Sequence, residues 1–166
     1  MRMSVFLTAA LLASPLLSAE EKVKSGCQPG EGVPAFPVVD VTGKFQPKSV
    51  CYICKIGAKP VAVVFTRDLD KALASLVKDI EKTVKGSKNG VSFVVHMDDD
   101  TKGSAEKLKA FAKANGLSKV ALTTNKSGKK SPAGYKINDK VKYTILLYEK
   151  KKVVKNFALN KIDDAS

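Results

Sequence analysis

The sequence has one histidine, three cysteines and, beyond its first residues, no long apolar run. A single histidine excludes the histidine pair of a typical structural zinc site, and there is no second Cys-x-x-Cys to replace that pair. Three cysteines allow only one disulfide within the chain, so one thiol is left over. No apolar stretch after Glu20 reaches the roughly 20 residues of a membrane-spanning helix, which excludes a transmembrane segment from that part of the chain.

Arginine is also nearly absent, although the chain is strongly basic. Lysine and arginine total 29 residues against 16 acidic ones, the formal charge is +13, and Arg2 and Arg67 are the only arginines. Site-specific recognition of phosphates or bases tends to use the arginine fork. The lysines are spread along every segment without the interleaved aromatic residues of a platform for single-stranded nucleic acid. The composition therefore predicts non-specific attraction to polyanions and no specific nucleic-acid partner.

The first residues carry a targeting signal. Arg2 precedes an apolar run over residues 5–17, which ends in small residues before a charged segment. A positive charge, about a dozen apolar residues and a small residue at the cut are typical of a secretory signal peptide. We therefore expect export to the periplasm or the exterior. The predicted organisation is a signal peptide at 1–19, a flexible polar leader at 20–32 and one domain at 33–166.

Strand and helix patterns alternate through the middle of the chain. The run 61–65 is apolar and β-branched, as in a strand that is buried on both faces. Between 69 and 84, apolar residues recur at spacings of three and four, which predicts an amphipathic helix. A second strand and helix follow at 91–97 and 104–115, and a short strand follows at 120–123. This alternation indicates the parallel core of an α/β sheet.

Hairpins flank this core, and polar residues mark the helix ends. Residues 36–41 and the turn after them predict an extended hairpin at the start of the domain. Two apolar runs around a lysine-rich turn at 149–152 predict a second hairpin at its end. Thr66 or Asp68 could cap the first helix, which Gly86 could end, and Ser104 could cap the second helix.

Three motifs resemble the thioredoxin-like superfamily, in its peroxiredoxin-like and membrane-tethered branches. The first is F-x-V-x-D-x-x-G-K at 36–44, and the second is K-P-V-x-V-x-F at 59–65. The third joins Y-x-I at 135–137 to T-x-L-L-Y at 144–148. The segment C-x-x-C-K-x-G-x-x-P-V at 51–61 is similar to one in a group of small exported bacterial proteins.

The resemblance extends over residues 33–159 and implies a thioredoxin-like α/β sandwich. Its mixed sheet would have a parallel core, an N-terminal extended hairpin and a C-terminal hairpin. Thioredoxins place Cys-x-x-Cys after the core strand, at a helix N-terminus that lowers the thiol pKa. The matching segment here, 66–69, has no cysteine, neither a catalytic pair nor a peroxidatic one. Tyr143 stands where thioredoxins carry the facing cis-proline, so the inherited active site is absent.

The remaining motif, Cys51-x-x-Cys54, precedes the core strand, in a predicted loop at the opposite end of the sheet. Four interpretations stay open: a structural disulfide within the pair or to Cys27, a redox-active dithiol in a relocated site, a metal site that adds Cys27 and His96, and haem attachment. Haem attachment is disfavoured because Lys55 stands where a histidine normally follows the pair. The lack of an evident helix start at the pair favours the structural disulfide.

Two hypotheses from different functional classes follow. In the first, the protein is an exported thiol–disulfide protein with Cys51 as nucleophile and Cys54 as resolving residue, acting on an unidentified protein or thiol. In the second, it is a non-catalytic binding or structural domain in which Cys51 and Cys54 form a structural disulfide. No cofactor or metal is assigned. We expect His96 to be a partly buried core residue and the acidic turn at 98–100 to be solvated.

Overall fold

The protein is described by a computed structural model over residues 23–86 and 90–162. The predicted signal peptide, 1–19, lies outside these residues. Within them the chain forms, in order, β1 (Val38–Asp40), β2 (Ser49–Val50), α1 (Tyr52–Ile56), β3 (Val61–Thr66), α2 (Lys71–Gly86), β4 (Val91–His96), α3 (Thr101–Asn115), β5 (Ala121–Asn125), β6 (Tyr143–Glu149) and β7 (Lys152–Leu159).

All seven strands join one mixed sheet in the order β2-β1-β5-β4-β3-β6-β7. The three central strands β5, β4 and β3 are parallel to one another. The hairpin β6–β7 lies antiparallel beside β3, and the hairpin β1–β2 lies antiparallel beside β5. The predicted α/β architecture is confirmed, with a parallel core, an N-terminal extended hairpin and a C-terminal hairpin.

The sheet is buried on both faces, as the apolar character of β3 predicts. Val64 points to the face that α2 and α3 cover, where Leu73 and Leu108 are fully buried. Val63 and Phe65 point to the other face. That face is covered by α1 and by extended segments, with buried side chains Cys27, Val33, Phe36, Tyr135 and Ile137. The long helices therefore shield one side of the sheet, and irregular chain shields the other.

The segment that the sequence predicts to be a flexible leader, 20–32, is packed against the sheet over its described part. Ser25 is buried, and its hydroxyl lies 2.5 Å from that of Thr144 on β6. The side-chain amide of Asn156 on β7 donates to the carbonyls of Ser25 and Cys27, both at 2.7 Å. These long-range hydrogen bonds hold a polar segment in place although it has no apolar periodicity.

The first long helix, α2, begins slightly later than the periodicity suggests. Its start is capped by Asp70, whose Oδ1 accepts the N–H of Leu73 at 2.9 Å. Thr66 and Asp68, the caps expected from the sequence, do not fill this role. The Thr66 hydroxyl bonds locally to the Asp68 backbone, within the turn that leaves β3. Asp70 lies nearer than Asp68 to the start of α2, where the N–H groups of the first turn need an acceptor.

Asp70 also ties α2 to the last hairpin. Its Oδ2 accepts a hydrogen bond from the Tyr143 hydroxyl at 2.5 Å and lies 2.6 Å from Nζ of Lys142. Partial burial opposes ionisation of this carboxyl, but the hydrogen bonds from Lys142, Tyr143 and Leu73 prevail and lower its pKa to about 2. The ionised form is therefore the one that the folded state stabilises.

We expect Asp70→Ala to lower the free energy of unfolding at pH 7 by about 1 kcal/mol, since a cap and partly exposed polar contacts are lost. The folded pKa is depressed, so this contribution is present above the ordinary value of 3.8 and is lost as the pH falls toward about 2. Urea unfolding of both proteins between pH 7 and pH 2 measures the difference. A difference that does not shrink at low pH would contradict the assignment.

The apolar stripe of α2 gives a second test. Leu73 is fully buried between helix and sheet, whereas Leu76 is only partly buried and lines an open groove. Leu73→Ala should therefore cost about 2–5 kcal/mol, as large-to-small core substitutions do, and Leu76→Ala should cost clearly less. Urea midpoints of the two variants provide the comparison. Equal losses would show that the helix does not pack on the sheet as described.

Candidate functional site

The cysteine pair lies at the start of a short helix. Cys51 is the N-cap of α1, Cys54 lies in its first turn, and their sulfurs form a disulfide of 2.08 Å. The Sγ of Cys51 accepts the N–H of Cys54 at 3.1 Å. The sequence predicts a loop here, and this is wrong, because a five-residue helix is too short to show apolar periodicity. Burial of Tyr52 and Ile53 stabilises it instead.

Tyr52 attaches this helix to the sheet. Its ring stacks on Phe93 of β4 at 4.8 Å between centroids and meets Phe45 edge-on at 5.8 Å. Its hydroxyl donates to Oδ2 of Asp40 at 2.9 Å. Burial, together with this hydrogen bond to Asp40, raises the pKa of Tyr52 well above its ordinary value, so the hydroxyl stays protonated and keeps donating.

Asp40 is the acceptor that organises this corner. It is fully buried at the end of β1, and its carboxylate accepts the N–H groups of Gly43 at 2.7 Å and Phe45 at 2.8 Å as well as the Tyr52 hydroxyl. The same carboxylate thus fixes the turn between β1 and β2 and the helix that follows. In the sequence, Asp40 stands out only as the aspartate of the motif at 36–44, although an aspartate before a glycine turn is a signal for such a role.

The two sulfur-bearing residues differ in exposure. Cys54 is exposed, and Cys51 is half-buried against the core. Neighbouring Tyr52 lines a cavity of about 330 Å³ together with Val91, at the amino end of β4, and Ala121, at the amino end of β5. The pair therefore lies toward the amino ends of the parallel strands, away from the carboxyl end of β3, where thioredoxins carry their cysteines.

Cys27 is separate from this pair. It is a free, buried thiol, and its Sγ lies 3.6 Å from the carbonyl oxygen of Gly134. Burial, aided by the charge of Glu31, raises the pKa of this thiol. A disulfide from Cys27 to the pair, one of the interpretations left open by the sequence, is thus not formed, and Cys27 is held in its unreactive protonated state.

His96 is a core residue at the end of β4. Its Nδ1 lies 2.5 Å from the Ser104 hydroxyl, and its Nε2 lies 3.3 Å from the carbonyl oxygen of Arg67. Burial lowers the pKa of this imidazole, so the neutral form is favoured. Within residues 23–86 and 90–162, no group of three or more histidine, cysteine or acidic side chains comes together as a metal site. Among these residues, His96 and the cysteines therefore do not form a set of metal ligands.

The acidic side chains in the turn after β4 make contacts within the chain. Asp100 caps α3 by accepting the N–H of Gly103 at 2.9 Å. Asp98 lies 3.2 Å from Nζ of Lys107. Ser104, the cap expected from the sequence, is instead fully buried one turn later, because the helix begins at Thr101 rather than 104.

At the end of β3, where thioredoxins carry their cysteines, this chain has residues that make structural contacts. From Thr66, the last residue of β3, to Asp70 the chain has no cysteine, and Asp70 binds the first turn of α2 and the Tyr143 hydroxyl. Tyr143, which replaces the expected proline, is buried and donates to that carboxylate. No thiol chemistry is available at this place.

Comparison with known proteins places the fold. No family model matches the sequence, and no curated protein matches it. A candidate protein disulfide isomerase from Bacteroides thetaiotaomicron superposes with a TM-score of 0.63 at 23% identity, over 84% of this chain and 85% of that one. Peroxidoxin BcpB from Mycobacterium tuberculosis gives 0.61 at 15% identity, over 82% and 89%.

A thiol-disulfide oxidoreductase from Bacteroides fragilis gives a TM-score of 0.58 at 15% identity, over 76% of this chain and 89% of that one. At identities below 25%, this similarity shows the fold alone. The chain therefore has a thioredoxin-like fold and carries its Cys-x-x-Cys pair before the core strand.

Proposed function

We propose that the protein is an exported thiol–disulfide protein that works through Cys51 and Cys54. The observation that carries this proposal is the position of the disulfide, at the start of α1 with Cys54 exposed and Cys51 half-buried. The lack of an evident helix start at the motif favoured a purely structural disulfide, but Cys51 is in fact the N-cap of α1. The names of the superposed proteins agree with a thiol–disulfide role.

The helix start supports Cys51 as the attacking residue. When the pair is reduced, the N–H of Cys54 that now points at Cys51 Sγ would stabilise a thiolate there. Lys55 follows the pair directly and adds positive charge beside it, which also favours the thiolate. Cys27 receives no such support, because burial raises its thiol pKa.

In reduction of a substrate, the Cys51 thiolate attacks one sulfur of a substrate disulfide. The substrate S–S bond breaks, a Cys51–substrate mixed disulfide forms, and one substrate thiolate leaves. Cys54, deprotonated, then attacks Cys51 Sγ and releases the second substrate thiolate. The protein pair is oxidised to the disulfide seen here, and the two electrons pass to the substrate. Oxidation of a substrate dithiol is the same sequence in reverse.

Export is the second part of the proposal. The pattern at 1–19 supports it, and a disulfide at rest agrees with an oxidising compartment. In the described residues no helix is both long and apolar enough to cross a membrane. Loss of Arg2 with the signal peptide would leave a mature chain that is still strongly basic.

We expect the mature protein to bind heparin and anionic vesicles without sequence preference, since its charge is distributed over many lysines. Raising the salt from about 50 to 200 mM should weaken this binding steeply through counterion release. Heparin-column elution and a salt titration measure it. Tight, sequence-selective nucleic-acid binding that survives high salt would contradict the expectation.

We expect the redox potential of the pair to lie above about −270 mV, in the range of thiol–disulfide oxidoreductases, because the ring is short and Cys54 is an exposed residue. Equilibration in glutathione buffers, followed by thiol alkylation and mass analysis, gives the value. Cys27→Ala is the control that isolates the pair. A potential below about −300 mV would favour the alternative, a structural staple in a non-catalytic domain.

Trapping experiments separate the roles of the two cysteines. Reduced Cys54→Ser should accumulate a mixed disulfide with a disulfide-containing peptide, because the resolving thiol is missing. Reduced Cys51→Ser should accumulate little, since it lacks the thiolate stabilised by the Cys54 amide. Non-reducing gel shifts give the result. More adduct with Cys51→Ser than with Cys54→Ser would reverse the assignment of nucleophile.

A further inference from the structure

A cleft beside the carboxyl end of β3 is unused by the proposed thiol chemistry. It is a wide, open depression with a volume of about 870 Å³. We call it the Arg67 cleft, since Arg67 follows the last residue of β3. Its lining consists of Lys24, Arg67, Asp99, Lys129, Lys130, Ser131, Lys136, Ile137, Asn138 and Asp139.

The charge of this cleft is positive. Five of its lining residues are lysine or arginine, and two are aspartate. Two of the lysines are already paired, since Lys129 lies 3.7 Å from Asp99 and Lys136 lies 3.3 Å from Glu31. Glu31 itself is outside the lining. The cleft therefore retains an excess of positive charge after its internal ion pairs are formed.

Arg67 gives the cleft a specific donor. Its Nη2 donates to the carbonyl oxygen of Lys129 at 3.1 Å, which fixes the plane of the guanidinium group. Its Nη1 is buried and has no hydrogen-bond partner among the residues that the structure describes. A buried donor without an acceptor is unfavourable. Because this nitrogen is shielded from water, an anion reaches it only when the side chain turns toward the cleft, and its N–H groups then donate to that anion.

The identity of this residue is significant. Arg67 is the only arginine after Arg2 in a chain whose other basic residues are all lysines. Arginine presents a rigid planar fork that matches phosphate oxygens, whereas lysine acts as a mobile point charge. Arg67 is therefore the one arginine of the described residues, and it lies half-buried in this cleft, whereas lysines carry the rest of the positive charge.

We propose that the Arg67 cleft binds the phosphate group of a small soluble molecule. The excess positive charge suits a group that carries about −1.5 to −2 at neutral pH. The guanidinium would supply the oriented hydrogen bonds, and two further lysines of the lining, Lys24 and Lys130, would supply charge. The cleft and the disulfide lie toward opposite ends of the parallel strands, so this binding is independent of the proposed redox role.

Calorimetric titration with inorganic pyrophosphate, at about 150 mM NaCl to screen diffuse attraction, tests the proposal. We expect saturable one-to-one binding that Arg67→Gln weakens by about tenfold. Lys155→Gln is the matched control, because it removes one positive charge at an exposed position of β7 outside the cleft. This variant should bind within about twofold of the wild type, since its lost charge lies outside the cleft and is screened at this salt concentration.

Arg67→Lys keeps the charge and removes the fork, so it should also bind more weakly than the wild type. It decides the question if Arg67→Gln fails to fold by circular dichroism. Equal losses in Lys155→Gln and Arg67→Gln, full affinity in Arg67→Lys, or no saturation by pyrophosphate would overturn the proposal.

Acetate and vesicles complete the experiment. Acetate should bind far more weakly than pyrophosphate if the cleft selects a multiply charged phosphate group over a single carboxylate. Vesicles containing phosphatidic acid test a lipid source of the same chemistry. If Arg67→Gln lowers vesicle binding but leaves pyrophosphate binding unchanged, the soluble ligand is wrong and a lipid headgroup takes its place.

Discussion

The buried carboxylate of Asp40 fixes the corner of the molecule on which the candidate site depends. It accepts two backbone N–H groups in the turn after β1 and the hydroxyl of Tyr52 at the start of α1. Since an acceptor in the core must be satisfied, the turn and the helix are held in one arrangement. Tyr52 lies next to Cys51 in sequence, so this network also determines where the disulfide meets the surface.

The amino and carboxyl ends of the parallel strands carry different groups of residues. The carboxyl end of β3, where thioredoxins carry their cysteines, holds the Asp70 cap, its Tyr143 partner and the Arg67 cleft. The cysteines lie on α1, toward the amino ends of the parallel strands. Two proteins with the same fold can therefore carry their functional residues at different places in that fold. The chemistry has to be argued from the residues at each end.

Much of the architecture was predictable from the sequence, because it depends on burial and periodicity. The run at 61–65 predicted β3 to within one residue, and alternating patterns predicted the parallel core and both hairpins. Features held by individual polar contacts were missed. They include the cap of α2 at Asp70 and the packing of the segment around Ser25, which depend on partners that sequence spacing does not reveal. The start of α1 was missed for another reason, since a five-residue helix is too short to show apolar periodicity.

The central claim is that the relocated pair performs thiol–disulfide exchange, and insulin reduction tests it most directly. With dithiothreitol as reductant, the wild-type protein should accelerate precipitation of the insulin B chain, because the pair cycles between dithiol and disulfide. Cys51→Ser should abolish the acceleration, and Cys27→Ala should preserve it. A wild-type rate no faster than that of Cys51→Ser would show that the disulfide is a structural element and that the protein is not an oxidoreductase.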